Sequence, residues 1–337
     1  MIALAASAAG TAFAAAPEGP RLAVVKWDLF QERYELETVD DTGALPLRLA
    51  GGGERKRPLP ELFEAPSWSS DGSRIAFAGM ANSLEAGPRG TRVYVVGSDG
   101  RRLRPLRGTR GAYKPVFMGD GSAVAFARSR RRSASIWLAE LGGGQPRPIT
   151  PVRKDVFLLP GSVSPDGGTL LAGRFVSGRW EEVVAVRLAT GKIKPVIRRA
   201  SEPVYSPDGT RFAMLRWGRM KRRDGSRTFQ TDIYTVRADG SGLRRVTRTP
   251  FQDEAFPSWD PSGERLAFVR HLSEVEEAND LIELGIGSAL MEMNADGTCQ
   301  RAILKPTPVA IYGAAWQPGP GREAGRIACG ARSKSRR

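Results

Sequence analysis

Histidine and cysteine are almost missing from this chain: His271, Cys299 and Cys329 are the only examples in 337 residues. By themselves they cannot supply the four-ligand sets that hold structural zinc, and a Ser-His-Asp arrangement would have one imidazole to draw on. Acidic residues are in deficit, 36 Asp and Glu against 51 Lys and Arg, giving a formal charge of +15 at pH 7. No G-x-S-x-G nucleophile elbow occurs, and no phosphate loop of the G-x-x-x-x-G-K-[ST] kind. Long helical periodicity is lacking as well; the best helical stretch is the acidic run SEVEEANDLIELGIG from Ser273. These absences exclude familiar metal, phosphate and α/β-hydrolase sites.

What the chain does have is a recurring phrase. It reads PSWSSDGSRIAFAG from Pro66, KPVFMGDGSAVAFAR from Lys114, GSVSPDGGTLLAGR from Gly161, PVYSPDGTRFAMLR from Pro203 and PSWDPSGERLAFVR from Pro257, with a degraded copy from Gly313. The bulky residue before each turn is Trp68, Phe117, Val163, Tyr205, Trp259 and Trp316, at intervals of 49, 46, 42, 54 and 57 residues. That approaches the period of roughly 40–45 residues typical of a four-stranded propeller blade. Each phrase predicts a short strand, a turn in which Asp bonds its own backbone and Gly takes positive φ, then an alternating strand such as Ile75 and Phe77. A second hairpin follows each phrase, as in VYVVGSDGRRLRPL from Val93. Three strands are left over between residues 21 and 50 and one near Ala310, so the ends are expected to pair and close a ring. The expected fold is all-β, a six-bladed β-propeller of four-stranded antiparallel blades over residues 20–330, closed by the C-terminal inner strand against the N-terminal three.

The fullest phrases, Tyr205-Ser206-Pro207-Asp208-Gly209 and Val163-Ser164-Pro165-Asp166-Gly167, resemble the Pro-Asp repeat of TolB-like β-propellers, a WD40-like repeat. The resemblance covers about residues 21–330 and implies the propeller fold more than any one activity, because this repeat serves periplasmic scaffolds, peptidase propeller domains and other exported proteins. TolB carries an α/β domain ahead of its propeller, where about 20 residues stand here. Partnership with a peptidoglycan-associated lipoprotein is therefore not carried over.

The N-terminal MIALAASAAGTAFAAAPEGP is apolar and Ala-rich, with a cleavage-like Ala14-Ala15-Ala16 and no preceding Lys or Arg. Residues 1–19 read as a signal-like segment, either cleaved after Ala16 or retained as an anchor, and the chain as periplasmic or extracellular. An exported chain with two cysteines allows one disulfide, Cys299 to Cys329, or two free thiols. Residues 331–337 read as a basic disordered tail.

The turn residues Asp71, Asp120, Asp166 and Asp208 recur too regularly for a catalytic pair, which needs unlike environments; they are structural. The aromatics before the turns belong to blade packing, and His271 to a loop. Arginines cluster at Arg128, Arg130, Arg131 and Arg132, and again, with lysine, at Arg219, Lys221, Arg222, Arg223 and Arg227. Both clusters are placed in loops, 128–133 and 217–228, that share one side of the disc with the links between blades. A field of one sign favours an anionic partner, although an Arg-rich composition spread over the surface accounts for the same count. No cofactor and no metal are expected. The favoured reading is a monomeric, non-catalytic scaffold binding an envelope protein or an anionic polymer. The alternative is a polysaccharide lyase or hydrolase acting on an anionic glycan at the channel mouth, and nucleic acid lacks the interleaved aromatics its binding would need.

Overall fold

The computed structural model describes residues 19–28, 33–51, 66–79, 90–176, 179–221, 227–250, 252–272, 287–307, 309–319 and 325–329. Residues 1–18, the acidic run 273–286, Arg222, Arg223 and the 331–337 tail lie outside them.

Twenty-four strands form among the described residues. The first sheet begins with β1 (Arg21–Asp28), β2 (Arg33–Asp40) and β3 (Leu47–Gly51). A second holds β4 (Ser67–Trp68), β5 (Arg74–Gly79), β6 (Arg92–Gly97) and β7 (Arg104–Pro105). Next come β8 (Ala112–Phe117), β9 (Ala123–Ser129), β10 (Ala134–Glu140) and β11 (Arg147–Pro148). They share a sheet with β12 (Val156–Val163), β13 (Thr169–Val176), β14 (Arg179–Arg187) and β15 (Lys192–Arg198). A fourth sheet contains β16 (Ser201–Tyr205), β17 (Arg211–Lys221), β18 (Arg227–Arg237) and β19 (Arg244–Arg245). The fifth contains β20 (Gln252–Trp259), β21 (Arg265–Leu272), β22 (Ser288–Asn294) and β23 (Arg301–Thr307). Finally β24 (Val309–Trp316) pairs antiparallel with β1, from Leu22↔Trp316 to Asp28↔Val309, and completes the first sheet.

This is an all-β propeller, but its sheets differ from the six separate ones the repeats lead one to expect. Four sheets have four strands, and one has eight. The reason is local: the Asp155 N–H bonds the Arg132 carbonyl and lays the start of β12 beside the start of β10, where Ala134 bridges Phe157 in parallel.

The Asp-Gly turns are built alike. The Gly72 N–H donates to the Ser69 carbonyl at 2.8 Å. The Asp71 carboxylate accepts from the Ser69 hydroxyl at 2.5 Å and the Ser73 N–H at 3.0 Å. Asp120, Asp166 and Asp208 accept the N–H two residues on in the same way, at 3.0, 2.9 and 3.1 Å. Gly72 has φ +66°, and a Cβ there would lie 2.3 Å from the Pro318 carbonyl oxygen of the closing strand's tail. This glycine is needed both for its backbone angle and for close approach at ring closure.

Neighbouring inner strands are fastened through the phrase itself. The N–H groups of Phe117, Tyr205 and Trp316 donate to the hydroxyls of Ser67, Ser162 and Ser258 on the preceding inner strand, at 2.9, 2.7 and 3.0 Å. The indoles of Trp68 and Trp259 donate to the Ala315 and Val204 carbonyls, both at 3.0 Å. Arg74 lies 5.7 Å over Phe117, Arg211 4.7 Å over Trp259 and Arg265 5.5 Å over Trp316. The guanidiniums of Arg74 and Arg211 also donate to the Gly121 and Gly263 carbonyls of the next turn. Between the sheets Phe77, Phe126 and Phe268 are fully buried at equivalent positions of β5, β9 and β21, and Phe212 is fully buried two residues earlier in the pattern of β17. Each such ring contributes about 1.5–3 kcal/mol relative to exposure.

Cys299 and Cys329 form a disulfide with Cα atoms 5.0 Å apart. It fastens the 325–329 segment beside β22, where the Asn294 side chain accepts the Ile327 N–H at 2.8 Å and donates to its carbonyl at 3.1 Å. Cys299 lies in the turn just before β23.

Candidate functional site

The inner strands β4, β8, β12, β16, β20 and β24 enclose a channel with a cavity of about 570 Å³. Its two ends differ because strand direction sends two kinds of connection to opposite sides of the disc. On one side the two hairpin turns of a unit touch: Ser98 N–H to the Ser73 carbonyl, Leu141 to Ser122, Leu188 to Gly168, Ala238 to Thr210 and Ala295 to Glu264. This is the turn face. On the other side the loop between a unit's second and third strands meets the link to a neighbouring unit. Asp155 donates its N–H to the Arg132 carbonyl at 3.0 Å, and the Arg216 guanidinium donates to the Arg199 carbonyl at 3.4 Å. This is the link face.

At the link-face mouth, Lys114, Glu202 and Phe256 each precede a proline and sit at a bulge where the inner-strand ladder shifts. Their φ angles are +49°, +49° and +53°. Left-handed geometry at a non-glycine residue costs on the order of 1–3 kcal/mol and persists only where neighbours enforce it. Here the enforcement is visible. The Lys114 ammonium lies 3.5 Å from one Glu202 oxygen, while the other accepts the Phe256 N–H at 3.0 Å. One carboxylate thus ties together β8, β16 and β20.

His271 lies on β21 opposite Asp253, within a strand rather than the expected loop. Its Nδ1 is 3.0 Å from the Ser288 hydroxyl. Burial pushes the imidazole below its usual pKa, against the opposing pull of Asp253 and Glu202. Ser288 is only 2% exposed. The pair is a buried contact between adjacent strands and presents no nucleophile to a substrate.

The structure divides the predicted cationic residues. Arg128 belongs to β9, not to a loop, and its guanidinium is packed 4.3 Å over Trp137 and 5.2 Å over Phe126. It donates to the Gly108 carbonyl of the neighbouring link, and burial lowers its pKa. Arg128 therefore latches β9 to the link that precedes its sheet and does not face solvent as a free cation. Arg130, Arg131 and Arg132 are exposed, and Arg132 pairs with Asp155 at 2.9 Å. Arg219 is exposed, 5.9 Å over the Phe229 ring. Lys221 and Arg227 face each other in the ladder at the end of β17 and β18, whereas Arg222 and Arg223 fall outside the described residues. The 217–228 segment expected as a loop is mostly the outer part of a hairpin of eleven-residue strands. Sequence reasoning missed the Lys114–Glu202 pair, which joins repeats that are not consecutive and leaves no local pattern.

No family model matches the chain. An uncharacterised protein of Agrobacterium fabrum is 30% identical over 235 residues, which cover 64% of this chain and 68% of that one. The Tol-Pal system protein TolB of Anaeromyxobacter dehalogenans is 32% identical over 138 residues, 40% of this chain. The matched region spans 29% of that TolB's length. Among solved structures, TolB from Acinetobacter baumannii superposes with a TM-score of 0.65 at 20% identity, over 89% of this chain and 67% of its own. In sequence and in fold the chain is thus similar to TolB-like β-propellers.

Proposed function

We propose that this protein is an exported, non-catalytic scaffold of the cell envelope that holds an anionic partner against its link face. The propeller has six blades on this reading, the eight-stranded sheet counting as two joined through Ala134 and Phe157. Similarity to Tol-Pal TolB supports an envelope role, and the apolar N-terminal segment supports export. The observation that carries the reading is the meeting of loops and links on one side of the disc. Through Arg132 and Asp155, and through Arg216 and Arg199, they join Arg130, Arg131, Arg153, Lys154 and Arg219 into one cationic arc. Such an arc raises the local concentration of anions and speeds their capture. The partner is an envelope protein with an acidic surface or an anionic polymer, bound by a monomer without cofactor.

The test is affinity recovery from an envelope fraction with the wild type and with a variant carrying Arg130→Glu, Arg131→Glu and Arg219→Glu. The wild type retains a partner, released by salt, and the variant does not. Equal recovery by both overturns the cationic-arc reading.

A further inference from the structure

The hairpin of β17 and β18 is the longest in the molecule among the described residues. Its strands pair over eleven positions, from Arg211↔Arg237 to Lys221↔Arg227. The equivalent pairs run for six positions in β5 and β6, seven in β9 and β10 and in β21 and β22, and eight in β13 and β14. At about 3.3 Å per residue, three to five extra positions carry the ladder some 10–16 Å further outward on the link face.

What this extension displays is unusual for a solvated hairpin. Phe229 is 64% exposed, the most exposed large apolar residue among those described. Its cross-strand partner is Arg219, which leans over the ring at 5.9 Å. Two positions further out, Lys221 pairs with Arg227 in the ladder register. The base of the same hairpin is fixed by Arg216, stacked 5.2 Å over Tyr234 and bonded to the 198–199 link. Across the link face, Val152 is 45% exposed beside the exposed Arg153 and Lys154.

We infer that the link face seats on an anionic lipid bilayer, with Phe229 entering the headgroup region and the surrounding arginines contacting lipid phosphates. This rests on the proposed cationic arc and adds a lipid surface to the protein or polymer that the arc holds. Exposed apolar side chains ringed by cations match the interface of a bilayer, where rings reach the acyl boundary and cations stay among headgroups. A soluble polyanion would be served by the cations alone and leaves Phe229 unexplained.

The experiment is co-sedimentation of the full chain with phosphatidylglycerol–phosphatidylethanolamine vesicles, beside phosphatidylcholine vesicles and soluble polyphosphate. Binding to the anionic vesicles is expected, weakening as salt rises from 50 to 500 mM. Phe229→Ser, which leaves every charge in place, lowers the vesicle partition coefficient roughly tenfold and leaves polyphosphate binding unchanged. Arg130→Glu with Arg219→Glu lowers it roughly a hundredfold or more, each cation being worth about fivefold near such a surface. Thermal melts within a degree or two of wild type show that the exposed substitutions leave the fold intact. Failure to bind anionic vesicles, or equal binding by wild type and Phe229→Ser, overturns the bilayer inference. If recovery of an envelope protein still depends on the arginines, the scaffold reading survives that failure; loss of both removes the two together.

Discussion

The two faces of the disc are made from the same repeats and yet obey different rules. On the turn face four units solve one problem in one way: Asp holds the N–H two residues on, Gly takes positive φ, and the second hairpin turn donates to the first. On the link face the connections differ from unit to unit. One is a short turn at Arg130 to Ser133 and another is an eleven-residue ladder. Repetition marks where stability is secured, and departure from it marks where this molecule has something individual to do.

The sharpest way to test that division compares two phenylalanines within the same pair of strands. Phe212→Ala removes a fully buried ring at the turn-face end of β17 and is expected to destabilise by about 3–5 kcal/mol. Phe229→Ser, on β18 near the link-face tip, should fall within about 0.5 kcal/mol of wild type. Urea unfolding followed by tryptophan fluorescence measures both; similar losses would erase the distinction.

Gly72→Ala comes next. The added Cβ would stand 2.3 Å from the Pro318 oxygen in a backbone of φ +66°, so a loss of about 1–3 kcal/mol is expected by the same assay. Gly218, in the extended hairpin, has open space around the site of a Cβ. Alanine there should cost far less.

The turn face also has its own response to acid. Hydrogen bonding, chiefly from the Ser69 hydroxyl, holds the Asp71 carboxyl at about 2, against an ordinary 3.8. Asp120 is likewise lowered by the Ser122 N–H, and Asp166 by the Ser164 hydroxyl. A depressed native pKa means that the unfolded chain takes up protons first. The stabilisation is therefore complete above the ordinary carboxylate pKa and fades as pH falls from about 4 towards 2. Ser69→Ala should lower stability near neutrality by about 1 kcal/mol and flatten the decline between pH 4 and 2. An unchanged slope would show that the hydroxyl does not set the Asp71 proton affinity.

The smallest effect belongs to the link face. Arg132 and Asp155 pair at 2.9 Å, with the Arg132 side chain 81% exposed, so Arg132→Ala should cost about 0–1 kcal/mol and nothing at high salt. Arg128→Ala should cost more, because its guanidinium is packed on Trp137 and bonded to the preceding link.

The same contrast decides how much could be read from sequence. The inner strands, their turns and the closing pair of β24 with β1 follow from short-range chemistry repeated in register, and Trp68, Asp71 and Gly72 announce them without reference to the rest of the chain. The eight-stranded sheet does not, because it depends on a single bridge between Ala134 and Phe157, two residues of different repeats. The run Gly218-Arg-Met-Lys-Arg-Arg-Asp-Gly-Ser-Arg227 lacks the alternation that marks a strand, and reads as a loop although both ends continue a ladder. Arg128 looks like its charged neighbours in sequence; only the position of Trp137 across the strand separates it from them. Likewise Lys114 and Glu202 are 88 residues apart and meet only because the ring brings their strands to one mouth.

A matched pair of charge reversals puts the account to its most direct test. Arg130→Glu with Arg131→Glu alters the link face, and Arg101→Glu with Arg102→Glu alters exposed positions of the turn face by the same net charge. Recovery of an envelope partner, quantified by mass spectrometry, should collapse for the first variant and stay near wild type for the second. Equal loss from both faces, or loss from the turn face alone, would contradict the assignment of binding to the link side.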